Sequence, residues 1–202
     1  MARLLSMVVA AFAATAGSVA SAQEFYFGGG LAYTSGTSES EFANSSDLDA
    51  GMLSLIIGQR FAAGTGFWGW ETNADLSFGS ETKESSFGAV CSTDGANGPY
   101  LCEHKATVRL VGVYGVPVGA GTEVFGSLGV GMMLGDYADS SFSVESARTY
   151  GATAGLGLSR DFGGGLTARG EVIYDSFDRN SQEFYDSTYY GTSLRMALIR
   201  KF

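Results

Sequence analysis

From residue 24 to residue 202 the sequence falls into eight stretches of strand-like composition, and their length constrains the fold more than any other feature. They cover residues 24–34, 50–61, 67–79, 104–116, 122–135, 147–162, 166–177 and 188–202. At ~3.3 Å per residue and ~45° of tilt, strands of this length cross the ~25 Å apolar band of an outer membrane, whereas strands of soluble proteins are usually about half as long. No uninterrupted apolar run here approaches the ~18 residues of a helical span, so a membrane crossing has to be made by strands. The 30 glycines, two prolines and 13% aromatic residues agree with many strands joined by turns.

The connections alternate in length. Residues 62–66, 117–121 and 163–165 are short and glycine-rich, while 35–49, 80–103, 136–146 and 178–187 are long and polar. Three short turns at one end and four long loops at the other describe an all-β fold: an up-and-down antiparallel transmembrane barrel of eight strands. Short turns and both termini would then face the periplasm, and the loops the exterior.

Alternation along the strands says which face is oily. In the last segment Tyr190, Thr192, Leu194, Met196, Leu198, Arg200 and Phe202 alternate with Gly191, Ser193, Arg195, Ala197, Ile199 and Lys201. In the third, Trp68, Trp70, Thr72, Ala74, Leu76 and Phe78 alternate with Gly69, Glu71, Asn73, Asp75 and Ser77. Segment six behaves likewise, and segments two and four alternate less clearly. Large apolar side chains are expected outside, with small and charged ones in a lumen that eight strands make only just wide enough for side chains. Arg200, on the lipid face near a strand end, can snorkel to the headgroups. Aromatic girdles are expected at both rims: Phe25, Phe27, Phe61, Trp68, Trp70, Phe162 and Phe202 on the turn side, Tyr33, Phe78, Tyr150, Tyr174, Tyr189 and Tyr190 on the loop side.

Ahead of the first strand, Arg3 precedes an Ala-rich apolar stretch over residues 4–16, and Ala20-Ser21-Ala22 has the small-x-small pattern of a cleavage site. The apolar core is too short to span a bilayer as a helix. Residues 1–22 are therefore expected to be a secretory signal cut after Ala22, leaving one barrel domain over 23–202. Loss of Arg3 takes the formal charge from −9 to −10, which disfavours nucleic acid and anionic lipid headgroups as partners.

The charges expected in the lumen are Glu71, Asp75, Arg109, Arg169, Glu171, Asp175 and Arg195. Charges removed from water persist only when paired and hydrogen-bonded, so these read as an ion-pair network that plugs the bore, or alternatively as a gate in a narrow polar path. Cys91 and Cys102 are the only cysteines and share one long loop in an oxidising compartment, which reads as a disulfide. Two thiols and the lone His104 fall short of a metal site, and no cofactor fingerprint is present. His104 is the sole candidate base for a nucleophilic enzyme, but no serine lies at strand spacing beside it; at a loop edge it reads as solvated. The long loops hold 14 of the 21 acidic residues, where divalent cations could bridge to lipopolysaccharide phosphates.

The eight segments, the alternating connections, the Ala20-Ser21-Ala22 ending and the terminal strand Leu194-Arg195-Met196-Ala197-Leu198-Ile199-Arg200-Lys201-Phe202 together resemble the small outer-membrane barrel family typified by the OmpA transmembrane domain, OmpX and the opacity-type surface proteins. The resemblance covers all of residues 23–202. It implies that Leu194, Met196, Leu198 and Phe202 form the signal read by the barrel-assembly machinery, with Arg200 departing from the pattern. The expected role is non-enzymatic: envelope integrity and surface presentation, with adhesion possible. The alternatives are a small porin-like channel, an outer-membrane enzyme and a lipocalin-like carrier, the last suggested by Gly66-Phe67-Trp68.

Overall fold

A computed structural model of the chain describes residues 23–40, 45–82, 100–138, 144–179 and 187–202, and in these every regular element is a β-strand. The strands are β1 (Gln23–Ser40), β2 (Ser45–Ala63), β3 (Gly66–Thr82), β4 (Tyr100–Gly119), β5 (Thr122–Ala138), β6 (Val144–Asp161), β7 (Leu166–Arg179) and β8 (Ser187–Lys201). Each pairs antiparallel with the next, and β1 closes on β8 from Tyr26↔Lys201 to Ser40↔Ser187. No edge strand remains, so every strand satisfies its backbone on both sides, as a sheet immersed in lipid must.

The three short turns are built on glycine. Gly64 and Gly121 have φ of 60° and 70°, and Gly163, Gly164 and Gly165 have 84°, 62° and 80°, conformations that a Cβ disfavours. The three tight connections therefore all sit at one end of the barrel, where the alternation in loop length put them.

The strands run further than the residue pattern predicts at the loop end. Residues 35–49 read as a loop, yet Ser35 pairs with Asp49 and the β1–β2 ladder continues to Glu39↔Ser45. Polar residues mark where the barrel leaves the apolar band; they do not end the ladder, because paired backbone amides are as well satisfied in water as in lipid. Asp47, Asp49, Glu103, Asp136 and Asp178 thus stand on strand extensions.

The apolar alternation points outward. Leu194, Met196 and Leu198 on β8, Trp68, Leu76 and Phe78 on β3, and Leu156 and Leu158 on β6 are all exposed on the outer wall, while Glu71, Asp75 and Arg195 are buried inside. A lipocalin has the opposite polarity, and Trp68 of the Gly66-Phe67-Trp68 element faces outward. The irregular alternation of β4 has a physical cause: its register with β5 slips between His104 and Ala106. Above the slip the even residue His104 faces in; below it the odd residues Thr107, Arg109, Val111 and Val113 do.

Both girdles are present, with one correction. Phe25, Phe27, Trp68, Phe162 and Phe202 ring the turn side, and Tyr33, Phe78, Tyr150, Tyr174 and Tyr190 the loop side. Tyr189 does not belong to the outer ring. It is 1% exposed and points into the lumen, because Tyr190 already takes the outward phase of β8. Residues 1–22, with Ala20 and Ala22, and Cys91 lie outside the described residues.

Candidate functional site

The lumen is filled in three layers. The central one gathers all seven charged residues named from the sequence. Strand phase puts Glu71 and Asp75 on β3, Arg109 on β4, Arg169, Glu171 and Asp175 on β7, and Arg195 on β8 at inward positions. Arg109 grips Asp175 with two hydrogen bonds, Nε to Oδ1 at 2.9 Å and Nη2 to Oδ2 at 2.5 Å, and turns Nη1 to Asp75. Arg169 crosses the full bore from β7 to Glu71 on β3, donating through Nη1 and, at 3.0 Å, through Nη2, which also reaches Glu171 Oε2 at 3.0 Å. Arg195 Nη2 donates to the same Glu171 oxygen at 2.5 Å, and its Nη1 lies 3.9 Å from Asp75 Oδ1.

Four carboxylates face three guanidiniums in this layer, and hydroxyl donors make up the difference. Tyr26 donates to Glu71 Oε2 at 2.8 Å, Ser127 to Glu171 Oε1 at 2.9 Å, and Ser54 to Asp75. A carboxylate accepting several hydrogen bonds can remain charged out of water, and each such bond is about twice as strong as a neutral one. The layer fits because its walls are bare. A Cβ on Gly155 would lie 2.5 Å from both Glu171 Oε1 and Ser127 Oγ, and one on Gly131 would lie 3.4 Å from Arg109 Cγ.

Above the charges lies an apolar layer that the sequence pattern does not single out. Leu48, Met133, Phe177 and Tyr189 form one buried cluster, with Phe177 and Tyr189 rings stacked at 6.3 Å. Gly36 and Gly191 leave space for the Tyr189 ring. His104, expected to be solvated, is instead 1% exposed in this layer. Its Nε2 pairs with Thr107 Oγ1 at 2.7 Å and its ring meets Tyr189 edge-on at 5.9 Å. The slip in β4 carries it inward, where it packs against the Tyr189 ring.

Below the charges, at the turn side, Arg60 Nη2 pairs with Glu123 Oε2 at 2.7 Å while its guanidinium stacks 3.4 Å from the centre of the Phe67 ring. Arg169 stacks in the same way on Phe125 at 3.9 Å. The space left among Tyr26, Arg60, Phe67, Phe125 and Arg169 measures about 10 Å³, at the lower limit for a single water. Outside the bore, Leu194, Met196, Leu198 and Phe202 project from the wall, and the Phe202 N–H donates to the Phe25 carbonyl at 2.9 Å across the β1–β8 seam. Where β4 and β5 extend past the loop-side girdle, Lys105 Nζ bonds Asp136 Oδ1 at 2.7 Å and holds that carboxyl below its usual range, helped by Ser146 Oγ. Among the described residues no group of three or more His, Cys, Asp or Glu is placed to hold a metal.

The signals for what the sequence reading missed were present but weak. Tyr26, Ser54 and Ser127 share the inward phase of their strands, and Phe177 continues the phase of Arg169, Glu171 and Asp175. A large apolar residue on a face otherwise made of charges is the mark of the upper layer.

No family model and no curated protein matches this sequence. The fold does match known structures. Against Neisserial surface protein A the TM-score is 0.51 at 9% identity, covering 87% of this chain and 97% of that one. Against the outer membrane protein OprG from Pseudomonas aeruginosa it is 0.58 at 15% identity, covering 90% and 97%. The chain thus shares the architecture of small eight-stranded outer-membrane barrels over nearly its whole described length.

Proposed function

We propose that this chain is an integral outer-membrane protein with a structural, surface-presenting role, and that its lumen stays shut. The observation that carries this reading is the triple seal: stacked cations at the turn side, a cross-bore ion-pair network in the middle and an apolar ring cluster above. A hydrated ion would have to break buried ion pairs and displace packed rings in the same passage, and both are expensive. Outer-membrane location rests on the oily outer wall between two aromatic girdles and on the likeness in fold. Export then calls for the signal over residues 1–22, removed after Ala22, and folding for the barrel-assembly machinery acting on Leu194, Met196, Leu198 and Phe202.

The barrel works without catalysis, since its one histidine is sealed in the lumen. Its loop end acts on the exterior. The acidic extensions carrying Asp47 and Asp178 offer carboxylates to divalent cations that bridge to lipopolysaccharide, and a Cys91–Cys102 disulfide ties the second loop. Adhesion is a secondary use of the same surface.

Two measurements test the reading. In outer-membrane fractions, an unheated sample should migrate faster than a heated one on a denaturing gel. In planar bilayers the purified barrel should give no discrete conductance steps; regular steps would replace the sealed barrel with the porin-like channel.

A further inference from the structure

On the turn side of the ion-pair network the bore ends in a small space, about 10 Å³, to which every one of the eight strands contributes a residue. Of the described residues around it only Arg60 and Lys201 reach water, each with a side chain 12% exposed; the others are buried. Three of them are cations, Arg60, Lys201 and Arg169, and none is a carboxylate. The two guanidiniums are held in place by stacking, Arg60 on Phe67 and Arg169 on Phe125.

Donors outnumber acceptors here. Thr167 Oγ1 and Arg169 Nε have no hydrogen-bond partner among the described residues, although Thr167 is 2% exposed and Arg169 7%. Lys201 Nζ has only distant carboxylates, Glu24 Oε2 at 3.6 Å and Asp161 Oδ2 at 3.8 Å, both on side chains 41% exposed. The nearby Glu123 is already engaged, since its Oε2 accepts from Arg60 Nη2 at 2.7 Å and from Ser159 Oγ at 3.0 Å. The Tyr26 hydroxyl gives its proton to Glu71. A buried donor without an acceptor loses its hydration and gains nothing in return.

A water settling in this space would bring two more hydrogens to a place that lacks acceptors. A monatomic anion accepts from every side and brings none, and beside a cation its hydrogen bonds are of the stronger, charge-assisted kind. We infer that the turn-side end of the bore binds one monatomic monovalent anion, of which chloride is the common example. Lys201 Nζ, Thr167 Oγ1 and Arg169 Nε hold it. The four carboxylates of the central layer stop it from travelling further, so the site and a shut lumen agree. It is formed by the bore and not by the loops, and it stands whether or not the loops have the surface role given above.

The full barrel in phosphatidylcholine vesicles, unfolded by urea in sodium chloride, sodium bromide or sodium gluconate at one ionic strength, provides the test. Gluconate is too bulky for the space. Chloride and bromide should raise the midpoint over gluconate, and the rise should follow single-site binding. Lys201→Met and Thr167→Val should each raise the chloride concentration at half-effect about ten-fold, as loss of one hydrogen bond to a charged group predicts. Thr167→Val keeps the side-chain shape and removes an unpartnered hydroxyl, so its midpoint in gluconate should be no lower than that of the wild type. The outward Arg160→Gln should keep the full chloride effect. In crystals grown from bromide, an anomalous peak should lie within hydrogen-bond reach of Thr167 Oγ1 and Lys201 Nζ. Equal midpoints in the three salts overturn the site, as does a chloride effect that Lys201→Met and Thr167→Val both keep. Density there that belongs to a water alone also overturns it, and so does a bromide peak without a midpoint effect, which is binding at crystal concentration only.

Discussion

The central and upper layers fill the same bore by opposite chemistry. The central layer is held by charge pairing: Arg109 satisfies Asp75 and Asp175, and Glu171 is held by Arg169 and Arg195. In the upper layer Leu48, Met133, Phe177 and Tyr189 contribute volume and contact. Removing one member of the first strands a charge in a place without water, while removing one of the second leaves a hole that neighbours can partly fill. The ionic layer should therefore fail sharply and the apolar one by degrees.

The largest expected effect follows from Arg109, which is 1% exposed between two carboxylates. Arg109→Met should lower stability in vesicles by ~3–5 kcal/mol, the usual cost of breaking a buried pair, read from the urea unfolding midpoint. Adding Asp75→Asn and Asp175→Asn to it should recover most of that loss, since neutral amides tolerate burial better than carboxylates without a cation. A triple variant no more stable than the single one would break the comparison.

Phe177→Ala comes next, at ~3 kcal/mol, within the range of large-to-small changes in packed interiors. Planar bilayers sharpen the contrast. Phe177→Ala, Arg109→Met and the two combined should not conduct, because the turn-side layer of Arg60, Phe67 and Glu123 still fills the bore; adding Arg60→Ala to the pair should give steps. Conductance from either single variant would mean that the layers do not seal independently.

Gly155→Ala tests how tightly the wall is fitted to the central layer. Its Cβ would meet Glu171 Oε1 and Ser127 Oγ at 2.5 Å, so one methyl should cost ~2 kcal/mol by overpacking. The outward Gly170→Ala, where a Cβ meets nothing within 4 Å, is the control and should be close to neutral.

The strand count, the oily wall and the seven lumen charges were legible because period-two alternation is local: phase along one strand decides in or out. Trp68 faces out and Glu71 faces in for no reason beyond their parity on β3. Partners were less legible, because they depend on strands far apart in sequence; Arg169 and Glu71 are 98 residues apart and meet only when the barrel closes. His104 was misplaced for a related reason. Its direction is set by the register slip in β4, which residue composition does not announce. The upper layer was missed because Leu48 sits in what reads as a polar loop and Tyr189 stands beside a second tyrosine that takes the girdle position.

The smallest effect concerns a single oxygen. Tyr26 donates to Glu71 Oε2 at 2.8 Å, one of the hydroxyls that offset the missing fourth cation. In Tyr26→Phe the ring stays and Glu71 keeps both contacts to Arg169, so the loss should be ~1.5 kcal/mol, the low end for a hydrogen bond to a charged group. Ser193→Ala gives the neutral counterpart, since Ser193 Oγ pairs with Thr34 Oγ1 at 2.7 Å, and it should cost ~1 kcal/mol or less. The ordering matters more than either value. If the two midpoints shift equally, the hydroxyls around the ion pairs are ordinary hydrogen bonds and the guanidiniums alone neutralise the carboxylates. If Tyr26→Phe costs more, the central layer is stabilised as a network, and its charge imbalance is borne by neutral donors drawn from β1, β2 and β5.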